Sequence, residues 1–147
     1  MRSVEPITPV KIDELVRFLP RFEQPDREFL MRWEGGAVQA DGSVTTAYPV
    51  YTADVNLFFH YVSQPCWCDF EYAHKRAEDW LNDDAFIARA SLDEVKTMLT
   101  HITRGERFCD GYWGGMLRRG RIQAVLRRLI QLRDDLPAFG KRHEQER

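Results

Sequence analysis

Eight arginines fall between residues 104 and 133 against only two carboxylates, Glu106 and Asp110, in a chain whose net charge is -2. A guanidinium offers a planar fork of donors that matches carboxylate and phosphate, so this stretch is the first place to look for chemistry. Arg118, Arg119, Arg121 and Arg128 are expected to form one basic surface, from the turn at 117–121 along the last helix, suited to phosphates or to an acidic protein. A structural reading stands beside it. The chain uses 17 arginines and 4 lysines throughout, and Arg127, Arg128 and Arg133 stand toward a helix C-terminus, where positive charge is favourable by about 0.3–1 kcal/mol without any ligand.

Other groups with reactive side chains have weaker spacing. Cys66-x-Cys68 with His60 and His74 nearby supplies ligand types that zinc prefers, but structural zinc sites use paired C-x2–4-C units and one tight pair is present here. No metal and no cofactor are expected. Cys109 lies at the expected start of a helix, where the dipole favours a thiolate, while the neighbouring Asp110 opposes it; His101 is the nearest candidate base. The glycines of G-Y-W-G-G, residues 111–115, follow no strand and lack the lysine of a phosphate loop. Two short helices separated by Gly120 also suggest a helix-turn-helix, with Gln123, Arg127 and Gln131 on the polar face of the second.

The elements that must position these groups are read from periodicity and caps. Thr8-Pro9 starts a helix through Leu19, with Pro20 and Pro25 as its stop. Asp41-Gly42 is expected to turn a β-hairpin, with Val44, Thr46 and Tyr48 alternating along one strand and Pro49 ending it or lying at its edge. Thr52 then caps a helix carrying Val55, Phe58, Phe59 and Val62 at i, i+3, i+4 and i+7. Asp69 is expected to cap a third helix through Leu81, followed by a short turn holding Phe86 and Ile87. Ser91 and Glu94 form a capping box before Leu92, Val95, Met98, Leu99 and Ile102. Asp110 is expected to cap a short helix through Leu117, and the last helix runs from about Arg121 to Arg133 with Ile122, Val125, Leu126 and Leu129 inward. The sum is a mainly α, α-rich α+β fold: about six helices around one core with a small two-stranded ribbon near residues 29–51.

The 147 residues suit a single domain over 1–147, with 134–147 a frayed tail. Hydrophobic residues at 44% and charged residues at 30% are ordinary for a globular protein and exclude the composition of disorder. No apolar run approaches the roughly 20 residues of a membrane span, and MRSVEPITPVKIDELV lacks the apolar core of a secretory signal. A cytoplasmic chain with free thiols and no membrane partner is expected.

From Arg104 through Leu129, R-x-x-R-F-x-D-G followed by G-R-I and L-x-x-L resembles the signature of a bacterial family catalogued as a domain of unknown function, number 6508. Y-P-V-Y-T at residues 48–52 and the V-x-x-F-F helix after it resemble the family's middle portion. The resemblance implies a helical fold with no assigned activity, and it matches at Arg104, Arg107, Phe108, Asp110, Gly111, Gly120, Ile122 and Leu129. Relatives often carry histidine where this chain has Tyr112 and Arg121, so no imidazole chemistry transfers to those positions. Physically, Arg104 and Arg107 either clasp Asp110 and the carbonyls at the end of the preceding helix, or line an anion-binding pocket with Tyr51 and Tyr112.

No nucleophile–base pair, carboxylate pair or metal set has usable spacing. The expected function is therefore a non-catalytic protein-binding or adaptor domain of a bacterial or mobile-element protein, with another protein as its partner. Nucleic-acid binding through the arginine-rich C-terminal helices is the alternative, and a small enzyme with a site around R-x-x-R-F-x-D-G the second. A binding module should expose an apolar patch, around Trp67, Trp113 or Phe139; an enzyme should gather His101, Cys109 or Asp110 in a pocket. Oligomeric state is not legible in the sequence.

Overall fold

A computed structural model describes residues 5–136. Among these residues, eight α-helices and one two-stranded antiparallel sheet make a helix-rich α+β fold, the expected class. None of these helices is long and apolar enough to cross a membrane.

Helix α1, Pro9–Val16, starts as expected: Thr8 Oγ1 accepts from the Lys11 N–H at 3.3 Å and proline occupies the first turn. Pro20 acts differently from the expectation. It begins helix α2, Leu19–Phe22, because a proline that cannot donate to the carbonyl four residues back breaks the first helix and is accommodated in the opening turn of the next.

The ribbon pairs β1, Leu30–Glu34, with β2, Tyr48–Tyr51, and Trp33 faces Pro49; an irregularity between Leu30 and Arg32 shifts the register. Proline inside β2 is tolerated because a two-stranded sheet consists of edges. The Asp41-Gly42 turn is present, closed by the Ser43 N–H on Asp41 Oδ1 at 2.9 Å with Gly42 at φ 87°. The strands do not run continuously into it, however, and only a single bridge, Val38 to Val44, lies between turn and sheet. Gly35 and Gly36, at φ 80° and 77°, redirect the chain there, and a Cβ on Gly35 would stand 2.2 Å from the Thr46 carbonyl oxygen. Residues 35–48 form an exposed arm.

Helix α3, Ala53–Val62, buries Val55, Phe58, Phe59 and Val62 as the spacing requires. Its first turn is anchored by Arg27, which donates to both Asp54 oxygens at 2.9 and 2.6 Å and to Thr52 Oγ1 at 2.8 Å. A 3-10 turn, Pro65–Trp67, lies in the loop before Asp69, and the expected third helix is reduced to a second 3-10 turn, Tyr72–His74, and α4, Ala77–Leu81. The cause is Asp69. Its Oδ2 accepts from Thr97 Oγ1 at 2.6 Å and Lys75 Nζ at 2.8 Å, and its own N–H goes to Thr100 Oγ1, so tertiary ties orient the residue while Oδ1 keeps one local bond, from the Glu71 N–H at 2.9 Å. The expected turn at Phe86 and Ile87 is a helix, α5, Asp84–Arg89, capped by Asp83. These two one-turn and two-turn helices, α2 and α5, account for eight helices in place of about six.

The capping box is present at the start of α6, Leu92–Gly105, with bonds of 3.1 and 2.9 Å between Ser91 and Glu94. Helices α7, Tyr112–Arg118, and α8, Arg121–Asp135, follow. Helix α8 passes the expected end at Arg133; the rest of the expected tail, 137–147 with Phe139, lies outside the described residues. Helix α6 packs against α3, α4, α7 and α8, so its C-terminal end is held from several sides. Trp67 is completely buried in the core that these helices share, which overturns its place in an exposed patch.

Three carboxyls tie this framework together. Burial opposes ionisation of Asp54, but the Arg27 and Thr52 hydrogen bonds outweigh it and hold the carboxyl below its ordinary range. Burial likewise opposes ionisation of Asp69, which Lys75 and Thr97 hold down. The His101 hydrogen bond lowers Glu78 against its own burial, with Tyr112 assisting. Depressed folded-state values make these contributions fully present above the unfolded value, about pH 4, and lost as pH falls through the folded ones. We expect the urea midpoint to drop steeply below about pH 4.5, and the drop to be shallower in Asp54→Asn, which starts from a lower stability at pH 7.

Candidate functional site

The C-terminal half of α6 presents Thr100, Thr103 and Arg104 along one face, the i, i+3, i+4 relation of a helix. Val62 and Ser63 at the end of α3, with Cys68, form the facing wall, and Glu106, Arg107 and Trp113 close the cleft, whose volume is about 450 Å³. Trp113 is held rigidly. Its ring stacks on Phe59 at 3.9 Å and 8°, it lies 5.6 Å from Tyr51, and its indole N–H points to the carbonyls of Ile102 and Thr103.

The hydroxyl protons along the cleft are already engaged. Ser63 donates to the Phe59 carbonyl at 2.7 Å and Thr103 to that of Leu99 at 2.8 Å, while Thr100 faces the carbonyls of Trp67 and Lys96, both at 2.9 Å. The donors left for a ligand are guanidinium groups. Arg104 reaches Cys68 Sγ at 3.7 Å and sits over the Tyr72 ring at 5.4 Å. Arg107 is exposed, and its guanidinium makes no hydrogen bond, ion pair or ring contact among the described residues.

Glu106, between the two arginines in sequence, does not neutralise them by pairing. Its Oε1 accepts from the Trp113 N–H at 2.9 Å and from Tyr51 Oη at 3.0 Å, and its Oε2 accepts from the Gly111 N–H at 2.8 Å. It is therefore the cap of α7, placed where the helix dipole favours an anion. Gly111, at φ 89°, is the N-cap position, and Asp110, expected as the cap, is exposed and pairs with neither Arg104 nor Arg107 among the described residues. Tyr51 receives the Gly114 N–H at 3.2 Å; burial, with Glu106 alongside, pushes its phenol above the ordinary range, so it stays a neutral donor.

Tyr112 lies in a different cluster. Its hydroxyl donates to Glu78 Oε2 at 3.0 Å, and His101 Nε2 meets the same oxygen at 2.8 Å, joining α4, α6 and α7 beside a cleft of about 320 Å³ rimmed by Tyr72, Arg76 and Phe108. Burial and Glu78 push the Tyr112 phenol upward. Cys109 is exposed, Cys66 is buried in the core and Cys68 lies at the arginine cleft, so the three thiols face three environments.

Arg121, Arg127 and Arg128 line one cleft of about 320 Å³ with Asp84 and Gln131, and the C-terminal arginines draw their partners from several neighbouring helices. Arg121 meets Asp84 at 2.6 Å and the Leu81 carbonyl at 3.1 Å, Arg128 the Ala90 carbonyl at 2.8 Å, and Arg119 Asn82, all toward α4 and α5. Arg127 pairs with Glu23, and Arg133 with Asp13 at 2.6 Å, toward α2 and α1. Arg118 lies next to Gly114 on the side of Tyr51. Of the residues named from sequence, the structure thus brings Arg104 and Arg107 into one cleft, puts Tyr51 behind it through Glu106, and separates Tyr112 and the α8 arginines from it. Sequence reading missed Glu106, Trp113 and Cys68 as parts of this site. Glu106 carried no cap signature, because a loop separates it from the N–H groups it receives.

A model of a family of unknown function, DUF6508, matches residues 7–135 of the chain. No curated protein and no solved structure shows significant similarity to it.

Proposed function

The chain belongs to the DUF6508 family, and we propose that within it this protein is a non-catalytic binding domain whose arginine cleft takes an acidic group of another protein. The observation that carries the reading is Arg107, an uncommitted guanidinium beside Arg104 in a cleft whose hydroxyl protons are engaged elsewhere. Such a cleft offers donors for one anion and, on Val62 and Trp113, apolar surface for what the anion is attached to. Its chemistry suits binding better than turnover: the lining contains a thiol, Cys68, without an imidazole, and both oxygens of Glu106 already accept hydrogen bonds. The α8 arginines support a structural role, since five carboxylate or carbonyl partners hold them against neighbouring helices.

Fluorescence anisotropy with a labelled glutamate-rich peptide tests this reading. A charge-assisted contact contributes about 1.5–3 kcal/mol, so Arg107→Ala should weaken binding by roughly tenfold or more. Its melting temperature should stay within about 2 °C of wild type, because the removed group has no partner to lose. The folded Arg118/Arg121/Arg128→Ala variant should bind as wild type does. Salt-sensitive binding of mixed-sequence DNA that survives Arg107→Ala and disappears in the triple variant would favour the nucleic-acid reading instead.

A further inference from the structure

The exposed arm is a large feature that the core does not use. Residues 35–48 are exposed without interruption, and Val38 and Val44, bridged to each other near the tip, are 73% and 61% exposed. Between Glu34 and Asp54 the arm carries a single charge, Asp41, at its turn. Asp41 Oδ1 accepts both the N–H and the hydroxyl of Ser43, at 2.9 and 2.6 Å, and Oδ2 has no partner among the described residues. The tip is thus one half-free carboxylate between two valines. The cleft is its chemical complement: two guanidinium groups, one of them uncommitted, beside the apolar surface of Val62 and Trp113.

We propose that the cleft's occupant is the arm of a second copy of this chain, with Asp41 of each copy entering between Arg104 and Arg107 of the other in a closed, reciprocal dimer. The proposal rests on the reading of the cleft as an anion site and names its partner. Six residues lie between Glu34 and Asp41, and at about 3.3 Å per extended residue the arm can project at most on the order of 20 Å, a reach sufficient to enter a neighbouring molecule. A reciprocal contact uses the same two surfaces twice, as a two-fold interface requires. The Ser43 hydrogen bonds hold the Asp41 carboxyl below its ordinary range, so the tip enters as a carboxylate at neutral pH.

Sedimentation velocity from micromolar to submillimolar protein is the test, on wild type and on Asp41→Arg and Arg107→Asp, each checked for folding by circular dichroism. Wild type should dimerise, and each variant alone should dissociate at least tenfold more readily, because like charges then meet at both contacts. Mixing the two variants should restore a heterodimer, in which both contacts become opposite-charge pairs again. A dimer indifferent to both substitutions, or two variants that do not complement, overturns the proposal. So does a wild type monomeric at every concentration. If that monomer still binds a labelled glutamate-rich peptide through Arg107, the cleft reading survives without the arm; if it binds none, both fall.

Discussion

Trp67→Ala is expected to lower the unfolding free energy by about 4 kcal/mol, in the range for emptying a buried aromatic site. A domain of ordinary stability has about 5–15 kcal/mol in total, so the loss should take away from roughly a quarter to most of it. Trp67 is completely buried and is the largest side chain so enclosed. It lies on a 3-10 turn packed against α6, whose Thr100 hydroxyl contacts the Trp67 carbonyl at 2.9 Å. Trp67→Phe is the informative control. The indole Nε1 has no protein acceptor, so phenylalanine loses volume but breaks no hydrogen bond, and its cost should be about half that of alanine or less. Urea unfolding of the three proteins at pH 7 measures both differences.

Glu106→Ala is the second large effect, about 3 kcal/mol, and it should reach the site as well as the fold. The substitution removes the acceptor of three donors, the N–H groups of Gly111 and Trp113 and the Tyr51 hydroxyl. Leaving such donors unpaired costs about 1–3 kcal/mol each, reduced where water can reach them. Because Trp113 and Tyr51 both depend on this carboxylate, their aromatic contact should loosen, and the near-ultraviolet dichroism should weaken more than the far-ultraviolet signal. Glu106→Gln keeps one acceptor oxygen but turns an amide donor toward other donors, so it should fall between wild type and alanine.

Much of the fold is legible in the sequence because its signals are local. The capping box at Ser91 and Glu94, the Thr8-Pro9 start and the stripe of Val55, Phe58, Phe59 and Val62 each involve residues within two turns of one another, and all three are found as read. The failures share the opposite property. Asp69 keeps one local bond, from the Glu71 N–H, but its other oxygen is drawn to Thr97 and Lys75; Pro20 stops α1 as read but also opens a further helix. In both cases a longer-range or steric consequence overrode a local propensity. The ribbon was placed correctly, but its strands stop short of the Asp41-Gly42 turn because two consecutive positive-φ glycines interrupt the ladder.

The site was legible in part for the same reason. Arg104 and Arg107 are three residues apart at a helix end, so a shared environment followed from spacing alone. Tyr51 and Tyr112, also named from sequence, prove to hold different carboxylates, Glu106 at 55 residues' separation and Glu78 at 34, and nothing in one dimension distinguishes those pairings. The wall formed by Val62, Ser63 and Cys68 exists only because α3 and α6 pack together. The arginines of the last helix do share a cleft, Arg121, Arg127 and Arg128 with Asp84, but their guanidinium groups are held by partners on neighbouring helices that the sequence does not reveal.

The most direct test of the anion cleft is a nuclear magnetic resonance titration of the labelled protein with a glutamate-rich peptide, following arginine side-chain Nε–H signals and backbone amides together. The account predicts saturable shifts at Arg104, Arg107 and the α6–α7 loop, with Arg121 and Arg128 unmoved. Shifts concentrated on Arg121, Arg128 and the exposed face of α8, with Arg104 and Arg107 silent, would contradict it.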